Sequence, residues 1–224
     1  MNLLRQIMIK TSNTLRISGA FVFFFVFVSA FRMDRVQAPA PTRLVQDMDV
    51  VSTDVHPLNT LAKSLSRSAS ITQLPLGMID SETLWLARAI FSETKRPDEQ
   101  ILVAWVIRNR VDTGFRGKRT YQSVVLDPFQ FSAFRSGSDD RAFYESLNHN
   151  SRVNGWQRAL QIAYYIRHLN DDYRPFSRET RHFYSERSMV DRGQPPWIGA
   201  DAPLDITSVM EIDQRRFRFY EGIS

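Results

Sequence analysis

The sequence predicts an α+β domain dominated by helix, and three patterns carry that prediction. Apolar residues recur at helical spacing in 81–93, 97–111 and 151–168. Alternating aromatic residues in 181–185 and 215–220 are typical of two short strands. Hydrophobic residues make up 43% of the 224-residue chain, and most aromatic residues follow residue 80. The downstream part can therefore bury a core.

Local signals mark where the helices begin. Asp80 or Ser81 can cap the first helix, which should run to about Glu93. Pro97 suits the first position of the second helix, and the middle of that helix, 101–107, is apolar almost all round. We therefore expect this second helix to be central and buried. Two shorter helices are predicted at 120–126 and 141–147.

The first 37 residues have the pattern of a secretory signal peptide. Basic residues precede an apolar run over 17–31, and small residues at 28–30 and 36–38 offer cleavage sites. The run is shorter than the roughly 20 residues that span a bilayer. An uncleaved membrane anchor is the alternative, and a buried core helix fits the dense Phe/Val run poorly. We expect an exported protein of the periplasm or cell envelope, attached to the inner membrane if the leader stays.

Residues 38–79 have the composition of a flexible linker. Pro, Ser, Thr and Asp recur there, and the apolar positions Leu58, Leu61 and Leu65 form only a weak pattern. Such a stretch buries too little apolar surface to offset the entropy lost on ordering. The folded domain is therefore predicted at 80–224.

Charge and cysteine content exclude several classes of site. The net charge of +5 favours polyanionic partners, although an export signal argues against nucleic acid. The chain has no cysteine, which excludes disulfides, thiolate zinc sites and cysteine nucleophiles. The histidines lack metal-like spacing, so we expect neither a metal nor a cofactor. The basic stretches 108–110, 116–119 and 215–216 fit solvated faces.

Glu93 is the first candidate for chemistry. It ends an apolar helix, follows Phe91 closely and faces the predicted buried helix. Partial desolvation there would raise the pKa of its carboxyl group, which suits a general acid. Spacing alone nevertheless favours an ordinary surface glutamate at a helix end.

Five segments, taken in order, resemble the spore-cortex-lytic, SleB-type cell-wall hydrolases. The stretch 86–111 resembles their opening helices, with Ser92-Glu93-Thr94-Lys95 at the acid element and Asn-Arg-Val at the end of the second helix. One departure is clear, because Lys95-Arg96-Pro97 stands where the family has glycine. The later segments match a short helix leading to Gln-Phe-Ser, an aromatic strand, a Pro-rich loop and a closing strand; they are 121–134, 182–185, 195–197 and 215–222.

The resemblance implies a lysozyme-like fold and a peptidoglycan-cleaving enzyme with Glu93 as its catalytic acid. It also draws attention to Gln130 and Ser132 as hydrogen-bonding partners of a sugar, and to Tyr184 as a residue that orients the sugar. Trp197 could stack on a sugar face or simply pack its loop. The phenylalanines 129, 131 and 134 are predicted to be core.

The implied reaction is that of a lytic transglycosylase acting on the bond between muramic acid and glucosamine. One carboxyl group gives a proton to the leaving oxygen and then accepts one from the sugar's own 6-hydroxyl group, so no second carboxylate is needed. A hydrolytic muramidase would use a second carboxylate, and nothing marks Asp127, Asp139 or Asp140 for that role. An N-acetylmuramoyl amidase is a further enzymatic possibility, and an inactive glycan-binding module is the non-enzymatic one.

Overall fold

The computed structural model describes residues 56–67, 73–188, 193, 195–198 and 202–223. All of these belong to one unit, residues 37–224, and the predicted leader lies outside the described residues. None of the helices described is long and apolar enough to cross a membrane. The elements in the described part are α1 (Pro57–Arg67), α2 (Ser81–Glu93), α3 (Pro97–Thr113), α4 (Tyr121–Val125), α5 (Arg141–Ser146), α6 (Trp156–His168), β1 (Thr180–Tyr184) and β2 (Arg218–Glu221). The predicted mainly helical α+β class is confirmed.

Helix α3 is the centre of the core, as its composition predicts. Every residue from Ile101 to Ile107 is fully buried. Helices α2 and α6 pack on it and on each other, and β1 packs on its C-terminal half. The short α4 closes the layer against α2 and α3. A helix that is apolar all round needs partners on every side, and these four elements supply them.

The predicted helix boundaries follow the capping signals. The Asp80 side chain accepts a hydrogen bond from the Thr83 backbone N–H at 2.8 Å, which caps α2. Pro97 stands in the first turn of α3, and Gly114 ends that helix in the left-handed conformation, with φ of 63°. Thr120 forms a reciprocal capping box with Ser123 at the start of α4.

The two strands pair in antiparallel fashion, with Phe183 opposite Phe219 and Tyr184 opposite Arg218. Helix α3 anchors the first of them. The Asn109 amide donates to the backbone carbonyl of Thr180 at 2.8 Å, and Arg110 Nε donates to that of Arg181 at 2.7 Å. These bonds position the whole of β1 relative to α3.

The structure differs from the predicted flexible linker over residues 57–67. Helix α1 forms there, and its Leu58, Leu61 and Leu65 are buried in the main core. Their spacing of three and four residues gives α1 one apolar stripe. The stripe is too narrow to order the segment alone, but α3 supplies the surface that it covers.

The prediction of solvated arginine faces is wrong for α3. Arg108 Nη1 donates to the carbonyl oxygens of Ile166 and Leu169 at 2.6 and 2.8 Å, and so caps the C-terminal end of α6. Arg110 is 5% exposed. Because α3 is enclosed on all sides, its arginines must extend to carbonyl groups of neighbouring elements instead of solvent.

Candidate active site

A cleft of about 450 Å³ opens where α2 ends. Four parts of the chain form its walls: the ends of α2 and α3, the segment after α4, the end of β1, and the approach to β2. The described residues that line it are Glu93, Arg110, Phe129, Gln130, Ser132, Arg135, Phe183, Tyr184, Ser185, Arg187, Arg216 and Phe217. The structure thus brings Glu93 together with three residues singled out from the sequence, Gln130, Ser132 and Tyr184.

Glu93 is the last residue of α2, and its side chain reaches the cleft while the residue stays partly exposed. Burial of the carboxyl group raises its pKa to about 7, and the positive charge of Arg110 opposes part of that rise. Among the described residues, the Glu93 carboxyl group has neither a hydrogen bond nor an ion pair. Its proton is therefore available to a bound molecule near neutral pH.

The loop after Glu93 is held by a buried carboxylate rather than by a glycine turn. Glu99, in the first turn of α3, is fully buried and accepts a hydrogen bond from Thr94 Oγ1 at 2.5 Å. The Gln100 amide donates to the Thr94 carbonyl at 2.8 Å. Thr94 is thereby fixed next to Glu93, although Lys95-Arg96-Pro97 stands where the SleB-type family, which the sequence resembles, has glycine.

Glu99 also binds Arg216, a residue of the cleft wall. Arg216 donates from Nε to Glu99 Oε1 at 2.6 Å and from a terminal nitrogen to Oε2 at 3.2 Å. Arg96 lies 3.3 Å from the same carboxylate. Glu99 is fully occupied by these donors and does not line the cleft, so it is not available to a substrate.

Within the described lining, Glu93 is the only carboxyl group. Asp127 is nearly buried and is paired with Arg116 at 2.7 Å and Lys118 at 3.7 Å. Asp139 and Asp140 are exposed outside the cleft. Nor do the described residues contain a group of three His, Asp or Glu side chains that could hold a metal ion.

Phe129 contradicts its predicted place in the core. It is 83% exposed at the cleft, whereas Phe131 and Phe134 are buried as predicted. Pro128 and Phe129 occupy the centre of a turn closed by the Gln130 N–H and the Asp127 carbonyl at 3.2 Å. Phe129 has φ of 66°, a value that usually calls for glycine at this turn position. The backbone is therefore held in a costly conformation that presents an aromatic ring at the rim.

Tyr184 and Trp197 differ in their position relative to the cleft. Tyr184 ends β1, is almost fully buried and contributes to the cleft wall. Trp197 is not among the lining residues. Its ring packs on His182 and Tyr220, with centroid separations of 5.0 and 5.6 Å. The structure thus supports the loop-packing alternative for Trp197 rather than a place in the cleft.

Sequence reasoning missed the basic half of the site. Arg110, Arg135, Arg187 and Arg216 all line the cleft. A signal existed for Arg110, because an arginine in a helix that is apolar all round must be buried with a partner. Arg135 and Arg216 lie in turns and Arg187 in a single 3-10 turn, where sequence spacing says little about the direction of a side chain.

A comparison with curated proteins finds similarity to the Spore cortex-lytic enzyme of Bacillus subtilis (strain 168). The two are 28% identical over 116 residues, which cover 48% of this chain and 36% of the relative. The chain thus spans about a third of the relative's length. No family model and no solved structure matches the chain.

Proposed function

We propose that this protein cleaves the glycan strands of peptidoglycan, with Glu93 as its general acid. The observation that carries the proposal is Glu93, the one carboxyl group among the described residues of an open cleft, with a pKa raised to about 7. Similarity to a spore cortex-lytic enzyme supports the choice of polymer. The predicted export signal agrees with it, and we propose that the protein works in the cell envelope.

The finer proposal is a lytic transglycosylase. Neutral Glu93 gives its proton to the glycosidic oxygen as the bond to the muramic acid C1 breaks. The resulting carboxylate then takes the proton of that sugar's 6-hydroxyl group, whose oxygen bonds to C1 and closes a 1,6-anhydro ring. This sequence needs one titrating group that works in both directions, and a pKa of about 7 meets that need. The hydrolytic alternative needs a second carboxylate, and Glu93 is the only carboxyl group among the described lining residues.

Three further residues are proposed to bind the sugars. Gln130 and Ser132 bring polar side chains to the cleft from the segment after α4, and Tyr184 lines it from the end of β1. An amide and a hydroxyl group can bind the N-acetyl and hydroxyl groups of a sugar. Phe129, exposed at the rim, offers an apolar face on which a sugar ring can stack.

Digestion of purified sacculi tests the proposal. The full-length chain, Glu93→Gln and the control Glu211→Gln are each incubated with sacculi, and the soluble products are analysed by mass spectrometry. Glu211 is an exposed glutamate outside the cleft, so its variant should match the wild type. We expect 1,6-anhydro muropeptides from the wild type and the control, and none from Glu93→Gln.

Different products would identify a different enzyme. Reducing-end sugars would indicate a muramidase, and free stem peptides would indicate an amidase. If the wild-type chain releases nothing, or if Glu93→Gln retains full activity, Glu93 is not the acid of a peptidoglycan-cleaving enzyme. Binding of sacculi by a wild-type chain that cleaves nothing would indicate a glycan-binding module.

A further inference from the structure

The cleft carries more positive charge than catalysis by one acid requires. Among the residues that the structure describes, four arginines line it, against one carboxyl group. Arg216 is paired with the buried Glu99, and Arg187 donates to Asp213 at 2.7 Å. These two pairs hold the guanidinium groups in place without removing them from the wall. The remaining pair, Arg110 and Arg135, carries the excess charge.

Arg110 lies beneath the cleft with an unused hydrogen-bond donor. Its Nε is taken by the Arg181 carbonyl, but its Nη1 is buried and has no partner among the described residues. The guanidinium group packs against Phe131 and Phe115, with separations of 5.6 and 5.8 Å from the ring centroids. A buried cationic donor left unpaired is unfavourable unless a ligand completes it.

Arg135, unlike the buried Arg110, lies on the surface. It is solvent-exposed in the polar turn after Phe134 and has no ion pair with any described residue. An exposed, unpaired arginine at a cleft contributes to the attraction of anions and can rotate to meet one. The wall therefore combines one buried arginine, two arginines fixed by carboxylates and one that is exposed and unpaired.

We propose that this arginine wall binds carboxylates on the peptide stems of the glycan strand, so that the substrate is stem-bearing peptidoglycan. The inference rests on the proposed function of the same cleft. The sugar rings themselves are uncharged. Where a stem is attached, the lactyl carboxyl group of muramic acid is tied up in an amide bond, so the carboxylates of the strand are those of the stem. The planar guanidinium group pairs with a carboxylate through two parallel hydrogen bonds, which gives both attraction and direction.

The test uses one polymer with and without those charges. Sacculi freed of phosphate-bearing polymers are N-acetylated to block amines, and half are then converted to carboxamides with carbodiimide and ammonia. Stem length and geometry are kept, while the negative charge is lost. We expect the full-length wild-type chain to release product from the carboxylate form about tenfold faster than from the amidated form.

Variants distinguish the effect of the arginines that line the cleft from the effect of other surface arginines. Arg135→Gln and Arg187→Gln should each lower the ratio of release from the carboxylate form to release from the amidated form about threefold. The control Arg141→Gln alters a half-exposed arginine outside the cleft that pairs with Glu145, and should match the wild type on both forms. Co-sedimentation of Glu93→Gln with each form reports binding without cleavage and should favour the carboxylate form.

Two failures are distinguishable. Equal rates and equal sedimentation on the two forms would overturn the carboxylate inference and leave the glycan-cleaving function standing. Equal loss on both forms in Arg135→Gln would also overturn it, because the arginine would then act without regard to charge. Release from neither form would refute the proposed function itself, and the inference would fall with it.

Discussion

Because the pKa of Glu93 is raised, this one residue should make the free energy of unfolding of the protein depend on pH. Folding takes the carboxyl group from water into the cleft floor, where burial disfavours the charged form. The folded protein therefore holds the proton to higher pH than the unfolded chain does. Replacement of Glu93 by glutamine keeps the shape and polarity of the side chain but removes its ionisation.

The magnitude follows from the two pKa values. The ordinary value is 4.5 and the folded value is about 7, and each pH unit between them corresponds to 1.36 kcal/mol. Because the folded pKa is the higher one, the contribution of Glu93 to stability is complete below pH 4.5. It is lost as the pH rises towards 7. The loss amounts to about 3 kcal/mol at most, since the residue keeps some exposure.

Urea denaturation at pH 4.5, 7 and 8.5 measures this loss. We expect Glu93→Gln and the wild type to differ least at pH 4.5, and the variant to be more stable by up to about 3 kcal/mol at pH 8.5. Glu211→Gln, at an exposed position, controls for the loss of one negative charge. A stability difference that is the same at all three pH values would refute the argument from burial. A variant that becomes less stable as the pH rises would reverse its sign.

Four further measurements test residues of the cleft, of its supporting contacts and of the core. Activity on sacculi should fall as the pH rises above 7, because Glu93 must be protonated to act as an acid; a pH–rate profile that rises through this range would contradict the assignment. Phe129→Ala and Phe129→Gly should both lower the cleavage rate about fivefold if the ring stacks on a sugar. The glycine variant should be the more stable of the two by about 1 kcal/mol in urea, because it relieves the positive φ. Glu99→Gln should cost about 2 kcal/mol of unfolding free energy and also slow cleavage, because Arg216 loses the partner that fixes it in the wall; normal activity in a destabilised variant would restrict Glu99 to a structural role. Leu58→Ala should cost about 3 kcal/mol, because this residue of α1 is fully buried, and no change in the urea midpoint would show that the segment is a linker after all.

The helical part of the fold could be predicted because its signals are local. The cap at Asp80, the proline at the start of α3 and the apolar surface of that helix depend on neighbours within a few residues. Helix α1 could not be recognised in the same way. Its stripe is weak by itself, and only the surface of α3 makes its ordering favourable. Tertiary contact thus overrode what composition predicted for this segment.

The residues of the site also differ in how far local sequence signals predict them. The position of Glu93 at the end of an apolar helix made it a candidate, although spacing alone favoured a surface residue, and the ordered resemblance made it the first choice for the catalytic acid. Phe129 was expected in the core because aromatic residues usually are, and only a turn with an unusual φ turns it outwards. Arg216 was expected on a solvated face because the sequence does not reveal that the buried Glu99 holds it in the cleft wall.

In the proposed mechanism Glu93 works in both directions, and the charge of Arg110 favours this. Burial alone would keep Glu93 protonated to higher pH, as an acid that takes its proton back less readily. A direct ion pair with the arginine would have the opposite effect and keep the carboxylate charged. In the structure Arg110 acts on Glu93 through its charge, without a direct ion pair, while its Nε stays on the Arg181 carbonyl. The two opposing influences balance near pH 7, where donating a proton and accepting one are about equally favourable. The same bond ties Arg110 to β1, so the group that opposes the rise in the pKa of Glu93 also positions the strand that ends in Tyr184.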